Sequence, residues 1–490
     1  MTCPFSRLWG LVRASLPGAN VSNLFVLVAC LVVAFFAGCV TQAPPSQVDK
    51  LDLPIPTRYT AENDPAPFWN GGWMEDFGDP QLEAVILEAL QHNNDLIVAE
   101  GRLEAARATS VIQGSGKYPS LSISHTGNRA QRTQTQGFVI SSRLSESFGI
   151  NSRTSWEFDI WGIVRDQANA GLADYQAAFE IYRAARFSIA ARTARAWFSA
   201  IAAQLQLKVA AQSLETFESN LEIIEENFKR GLARALDLRL MRASVASSRS
   251  AYEQRLRTRD GAIRTLEILL GRYPADEIQI AQEFPAIKNS IPVGLPDELL
   301  MRRPDLIAAE RRLAADATLI KATKKARLPG VFLTGSGGTS SRELGDVLDD
   351  DFKVWSLNYN IGLPIFQGGR LFASEKRIIA IYEQSLANFA QTALIAYSEV
   401  ESALIDQDSL RRDEEAQNLA VIEYTAAEEL AWEQYNRGLV DIITVLESQR
   451  RLFNAQRALI QVANQRIQSR IDLYLALGGG FAQDIELDIE

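Results

Sequence analysis

Phe228-Lys229-Arg230-Gly231-Leu232 returns 207 residues later as Tyr435-Asn436-Arg437-Gly438-Leu439. The same offset carries on to Leu266 and Leu473, and to Leu270-Gly271 and Leu477-Gly478. Upstream, Asp95-Leu96-Ile97, Glu100 and Leu103 return as Asp305-Leu306-Ile307, Glu310 and Leu313, with Pro119 matched by Pro329. The chain contains one plan twice, so a repeat architecture is expected rather than a catalytic domain with an appendage.

At 490 residues the chain could make several domains, but the repeat halves it into two units of roughly 200 residues within one body. The formal charge is −10; without residues 1–38, which carry Arg7 and Arg13 and no acid, it is −12. An acidic balance of this size argues against nucleic acid as a partner. Cys3, Cys30 and Cys39 all precede residue 40, so nothing beyond can form a disulfide or a thiolate metal site. His92 and His125 stand in unrelated surroundings.

The N-terminus has the form of an export signal: Arg7 and Arg13, an apolar run from Leu24 to Ala37, then the polar segment Thr41 to Lys50. Phe36-Ala37-Gly38-Cys39 resembles the lipobox of bacterial lipoproteins, which prefers Leu where Phe36 stands. Leu27-Val28-Ala29-Cys30 matches it as well or better, but cutting there would leave an exposed apolar run and too short a core, so Cys39 is the expected lipidation site. A plain secretory signal or an uncleaved anchor is the alternative. No later run of about 18 apolar residues occurs, so no spanning helix is expected.

Between Pro119 and Pro274, and again after Pro364, there is no proline. Residues 163 to 230 and 371 to 437 are rich in Ala, Gln, Glu, Leu and Arg, and each reads as one helix about 100 Å long at 1.5 Å per residue. Such a helix must lie along similar helices as a coiled coil or tube. Shorter helical segments run from about 80 to 117, 238 to 271, 297 to 327 and 441 to 477. The second and third together, and the fourth and first, approach one long helix, which suggests those pairs stack end to end. Residues 272–296, with Pro274, Pro285, Pro292 and Pro296, cannot be helical throughout. That linker and the two chain ends, 39–79 and 478–490, are expected as an equatorial girdle.

Alternating segments precede each long helix. In Trp355-Ser356-Leu357-Asn358-Tyr359-Asn360-Ile361-Gly362-Leu363 every odd position is apolar. Trp156, Phe158 and Ile160 alternate with Ser155, Glu157 and Asp159; Leu121 and Ile123 with Ser120, Ser122 and Ser124; Val331 and Leu333 mark a weaker fourth strand. Lengths of about nine to eleven residues and the flanking Trp161 and Phe366 suit strands crossing an outer membrane. Gly127 to Arg153 and Ser336 to Asp351 read as long polar loops. Four strands cannot close a barrel in lipid, where unpaired backbone is costly, so copies of the chain are required. Dimers would give eight strands and trimers twelve; periodicity does not choose.

The whole chain beyond the signal resembles the outer-membrane factors, TolC-like exit ducts of efflux and type I secretion, and most closely their lipid-anchored NodT-type branch. The marks are Trp73, Phe77 and Asp79-Pro80-Gln81-Leu82; Ser155-Trp156-Glu157-Phe158-Asp159-Ile160-Trp161-Gly162; Leu269-Leu270-Gly271-Arg272-Tyr273-Pro274; Gly294-Leu295-Pro296 with Arg302-Arg303-Pro304-Asp305; Pro364-Ile365-Phe366-Gln367-Gly368-Gly369-Arg370; and Leu473-Tyr474-Leu475-Ala476-Leu477-Gly478-Gly479-Gly480. The resemblance implies a mixed α and β membrane protein: a trimer with a twelve-stranded transmembrane β-barrel, four strands per chain, continuous with a periplasmic α-helical tunnel. The expected organisation is 1–38 signal peptide, 39–79 equatorial segment, 80–271 first repeat, 272–296 linker, 297–477 second repeat and 478–490 C-terminal segment.

The family's periplasmic end is made by the two helix hairpins, which places Arg230-Gly231-Leu232 and Arg437-Gly438-Leu439-Val440-Asp441 there. The resemblance implies that a periplasmic adaptor protein docks on these turns, at Gly231, Leu232, Gly438 and Leu439, and that acids ring an aperture. Asp441 and then Asp237 are the candidates for the ring, with Arg437, Arg230 and Tyr435 as latches between hairpins. Helix capping is the plainer role for Asp237 and Asp441. Arg234 occupies the position matching Asp441, so the repeat is imperfect here. Glu157, Asp159, Asn358 and Asn360 are expected to face a lumen, and Trp156, Trp355 and Tyr359 the lipid. The implied function is the passive outer-membrane component of a tripartite efflux system with an inner-membrane RND-type pump, without cofactor or metal beyond the lipid on Cys39. Type I secretion, a periplasmic coiled-coil adaptor and an enzyme are the competitors. No Ser/His/Asp order, phosphate loop or clustered metal ligands supports the last.

Overall fold

The computed structural model describes residues 42–47, 59, 73–136, 139–286 and 296–479. The signal segment, Cys30, Cys39 and most of the two chain ends lie outside the described residues. Asp79 opens the first helix, α1 (Pro80–His92), by accepting from the backbone N–H groups of Gln81 and Leu82, while Pro80 sits where a helix needs no donor. There follow α2 (Asn94–Ser115), β1 (Ser120–Gln136), β2 (Val139–Phe158), α3 (Ile163–Lys229) and α4 (Ala235–Leu269). The second half runs through the short α5 (Leu299–Arg302), α6 (Pro304–Lys325), β3 (Gly330–Thr339), β4 (Lys353–Gly362), α7 (Arg370–Asn436) and α8 (Ile442–Ala476). Helices α2 and α6 are both 22 residues long, α3 and α7 both 67, and α4 and α8 both 35. The long pair falls in the proline-free windows, where no ring interrupts the hydrogen-bond ladder.

The short helices stack differently from the expected pairing. Asn93 caps α2 by accepting from the Asp95 and Leu96 amides, and its Nδ2 donates to the Leu269 carbonyl at the end of α4, 2.7 Å away. Gly271 lies so close to this joint that a Cβ would come within 2.5 Å of the His92 carbonyl oxygen. The matching joint joins α6 to α8: Arg303 donates to the Ala476 carbonyl at 3.1 Å, and Gly478 abuts Arg302 and Arg303. So α4 meets α2 and α8 meets α6, each within its own half. Because α2 equals α6 in length and α4 equals α8, summed lengths are the same for either pairing and cannot select one.

Contacts divide the chain into two units. One comprises Met1–Pro44, Val111–Leu172 and Thr318–Ser374 and holds the strands; the other comprises Pro45–Ser110, Ala173–Ala317 and Glu375–Glu490 and is helical. In the strand unit a single antiparallel sheet has the order β1-β2-β3-β4, leaving β1 and β4 as edges. Directly paired residues share a face, so the register sorts the sheet. Trp156, Leu333 and Tyr359 form one row, and Leu121, Ile123, Phe158, Val331, Trp355, Leu357 and Ile361 lie on the same side. The other side carries Ser120, Ser122, Ser124, Arg153, Ser155, Glu157, Thr334, Ser336, Asn358 and Asn360, with Phe332 and Val354 as large apolar exceptions.

Three expectations are corrected here. Gly127 to Arg153 is not a loop: β1 and β2, 17 and 20 residues long, stay paired from Ser120–Ser155 out to Gln136–Val139, far past the ends of β3. Cross-strand bonds pair half of the ribbon's backbone groups and leave the outer half to solvent, so a Ser-, Thr- and Gln-rich composition suits it and reads as loop. Likewise Ser336 to Thr339 belongs to β3, and β2 ends at Phe158, so Asp159 is not a strand residue. Asp159 instead accepts from the Arg165 amide at 2.8 Å at the start of α3.

The helical unit has three apolar clusters. One gathers Phe77, Ile86, Trp197, Phe198, Leu266, Ile471 and Tyr474, with Ile278, Ile280 and Phe284 of the linker packed on it. A second centres on Leu306, Phe389, Val400 and Leu473, and a third on Ile224, Met241, Ile442 and Val445 beneath the helix turns. Incoming segments are tied to the first by buried polar groups. Glu267 accepts from the Asp276 and Glu277 amides at 2.9 and 2.8 Å. Asp76, in the 3-10 turn Trp73–Phe77, pairs with Arg470, both side chains 3% exposed. Burial, and secondarily Asp76, hold the neighbouring Tyr474 phenol well above its ordinary range against the opposing pull of Arg470.

Candidate functional site at the hairpin turns

Both long helices end in the same way. Gly231 takes φ +73°, its N–H donates to the Phe228 carbonyl and the Leu232 N–H to that of Asn227; Gly438 takes φ +71° with Gly438 to Tyr435 and Leu439 to Gln434. This double bond over a left-handed residue satisfies the last helical carbonyls, and only glycine adopts it without strain. Leu232 and Leu439 are thereby thrown outward, 75% and 69% exposed.

Beneath the turns, Ile224, Leu238 and Met241 of the first hairpin pack with Ala431, Ile442 and Val445 of the second, and Trp432 stacks on Tyr435 with centroids 5.6 Å apart. This packing brings the turns close enough for charges to meet. Arg234, just ahead of α4, grips Asp237 with Nε and Nη2 at 3.2 and 3.0 Å, and its own amide donates to Asp237 Oδ2 at 3.2 Å. The same guanidinium reaches Asp441 Oδ1 at 3.6 Å. Arg234 and Asp441 occupy matching positions of the two halves, and the fold sets them face to face.

The expected residues therefore divide. Asp237 is buried, its side chain 7% exposed, and holds the start of α4. Asp441 precedes α8 but makes no side-chain cap bond, leaving its carboxylate half exposed toward Arg234 and solvent. Arg230 pairs with Glu226 at 2.9 Å and Arg437 with Glu433, each on its own helix and each exposed. Within one protomer neither bridges the hairpins. Tyr435 is half-buried; desolvation first and Asp237 second push its phenol up, with Arg234 opposing. The residue that does join the hairpins, Arg234, was missing from the candidates. Its signal was present as the opposite charge at a repeat-matched position, which marks a contact across a pseudo-twofold as readily as it marks a defect.

Just behind the turns, α3, α4 and α8 enclose a groove of about 560 Å³ lined by Phe217, Leu240, Ala243, Leu446 and Phe453 and rimmed by Glu447 and Arg450. No group of acids, histidines and cysteines suited to a metal occurs among the described residues, and no helix among them is long and apolar enough to cross a membrane. Nothing in the turns assembles a nucleophile with a base; the arrangement can hold or release charge.

A family model described as outer membrane efflux protein matches residues 85–272 and 295–479, one match in each half. The chain is 31% identical over 460 residues to outer membrane protein OprJ of Pseudomonas aeruginosa, covering 93% of this chain and 96% of that one. It is 28% identical over 472 residues to the probable outer membrane lipoprotein SilC of Salmonella typhimurium, covering 95% and 98%. Among solved structures, the outer-membrane channel OprN superposes with a TM-score of 0.80 at 26% identity, over 90% of this chain and 99% of that one.

Proposed function

This chain belongs to the outer membrane efflux protein family, a transport component of the outer membrane and not an enzyme, and from that premise we propose that three copies form the exit duct of a tripartite efflux system. The observation that carries the proposal is the four-stranded sheet with two unpaired edges, one apolar face and one polar face. Edges in lipid leave several kcal/mol per unpaired group, so β4 of one copy must meet β1 of the next. Two copies would close eight strands, whose interior side chains alone fill. Three copies, twelve strands, are the smallest closed set with room for an aqueous lumen. The apolar face then meets lipid, the polar face lines the lumen, and the helical unit forms the periplasmic tunnel.

At the periplasmic end Asp441 rings the aperture and Arg234 holds it. Three like carboxylates repel across a narrow pore, and the cation beside each one removes that repulsion while the pair persists. Exposed Leu232 and Leu439, with the apolar groove behind them, suit an adaptor that grips the turns while an inner-membrane RND-type pump drives small molecules through. The family resemblance at Phe36-Ala37-Gly38-Cys39 makes Cys39 the acylated residue.

Native mass spectrometry of the detergent-solubilised protein should give a trimer; an ordered monomer would end the proposal. In planar bilayers the wild type should conduct little and Asp441→Ala should raise open probability. Unchanged conductance would remove Asp441 from the aperture while leaving the duct intact.

A further inference from the structure

Charge is unevenly placed along the polar face of the sheet. Arg153 lies in the row Ser122–Arg153–Ser336–Ser356. Ten residues nearer the β1–β2 turn, Arg143 stands directly opposite Arg132 on the same face. All three are exposed, and none of their guanidinium groups has an ion-pair or hydrogen-bond partner among the described residues. The face holds one acid, Glu157, at the end of β2 beside the helices of this unit. Glu146, the other acid of the ribbon, has the opposite parity and pairs across the other face with Arg129 at 2.7 Å.

Like charges directly opposite on neighbouring strands destabilise the pair. Glu146 sits three residues from Arg143 but points to the wrong side to relieve it. The connection between β3 and β4 carries Glu343, Asp346, Asp349, Asp350 and Asp351, but none is a strand residue, and Asp350 pairs with Lys353 at 2.8 Å. The polar face thus runs from negative near the helices to positive toward the ribbon turn.

We propose that this face forms an anion-attracting vestibule at the end of the barrel remote from the helices and along the β1–β2 ribbon that extends past it, so that the solutes favoured in the last stage of passage are anionic. The inference rests on the reading of the polar face as the lumen of a trimeric duct. Three copies would set nine arginines above three glutamates around one water-filled space, and low-dielectric walls focus such a field along the axis.

The test is a single cysteine, Ser356→Cys, in the row of Arg153, probed from outside on intact cells. The chain has no cysteine beyond Cys39 to compete. Anionic sulfonatoethyl and cationic trimethylammonioethyl methanethiosulfonates report the local potential through their relative rates, whether or not the periplasmic end is closed. The anion-to-cation rate ratio should fall about fivefold on Arg132→Ser/Arg143→Ser/Arg153→Ser, and by less on Arg132→Ser/Arg143→Ser, which leaves the four-stranded rows untouched. The difference should collapse at 1 M salt, where the Debye length is about 3 Å. An unchanged ratio at low salt overturns the inference. So does a ratio that moves with Asp349→Asn/Asp350→Asn and not with the arginines. A cysteine at 356 that reacts with neither reagent would mean the polar face is not a lumen, and that failure would belong to the duct itself.

Discussion

The two halves of the helical unit make the same joint with different chemistry. At the first, Asn93, neutral and 4% exposed, sends one amide hydrogen bond to the end of α4. At the second, Arg303 sits in its place, with Asp305 at 2.8 Å, Glu399 at 2.6 Å and the end of α8 at 3.1 Å. The geometry is common to both halves and each touches its long helix, but at the first the contact is an exposed pair between Asp95 and Arg192 of α3 at 3.3 Å, whereas at the second Arg303 itself ties Glu399 of α7 to the end of α8. A repeated backbone contact therefore fixes the position, and the side chain decides how many elements that position ties together.

The largest expected effect separates these joints. Arg303→Ala loses its contacts to two half-exposed carboxylates and leaves the Ala476 carbonyl without this donor, and should cost about 2–4 kcal/mol, against about 1–2 kcal/mol for Asn93→Ala. Denaturant unfolding of the two variants under one condition measures the gap, and equal costs would mean the charge network adds nothing. Next come the glycines of the joints. Gly271→Ala places a methyl 2.5 Å from a carbonyl oxygen, whereas at Gly478 the nearest atoms stand at 3.2 Å. Both suffer the left-handed penalty of about 1–2 kcal/mol, and Gly271→Ala should lower the thermal midpoint further than Gly478→Ala.

The turns allow a finer test. Arg234→Ala removes the anchor of Asp237 and should lower the thermal midpoint, whereas Asp441→Ala should leave it nearly unchanged. Their double-mutant cycle should return only a small coupling, because the pair is exposed. A coupling near zero would leave Arg234 as a cap alone. The smallest effect compares Glu267 with its counterpart Tyr474, each anchoring an incoming segment. The folded pKa of Tyr474 is raised above the ordinary value of 10.0, so its stabilisation is complete below about pH 10 and is lost as pH rises past it. Thermal midpoints between pH 9 and 11 should fall less steeply for Tyr474→Phe than for the wild type.

Much of this was open to reading along the chain. Absence of proline left windows in which α3 and α7 could run unbroken, and helix-forming composition ending at Gly231 and Gly438 placed them to within a residue or two. Glycines at 231, 271, 438 and 478 marked the ends of α3, α4, α7 and α8. Alternation located the sheet. The ribbon escaped because β1 is polar on both faces beyond Ile123, and in β2 Ile140, Leu144, Phe148 and Ile150 share one face too sparsely among Ser and Glu to read as alternation. The cap at Asp159 escaped because its partner, the Arg165 amide, is backbone and has no identity in the sequence.

Residue order alone determined the repeat, the element lengths and the two-faced strands, because each depends on periodicity or on local backbone preference. Only the tertiary structure decided which short helix meets which, that Arg234 meets Asp441, and that Arg132 stands opposite Arg143. Those depend on register and docking between segments far apart in the chain, where elements of equal length and similar composition are interchangeable until packing brings particular atoms together.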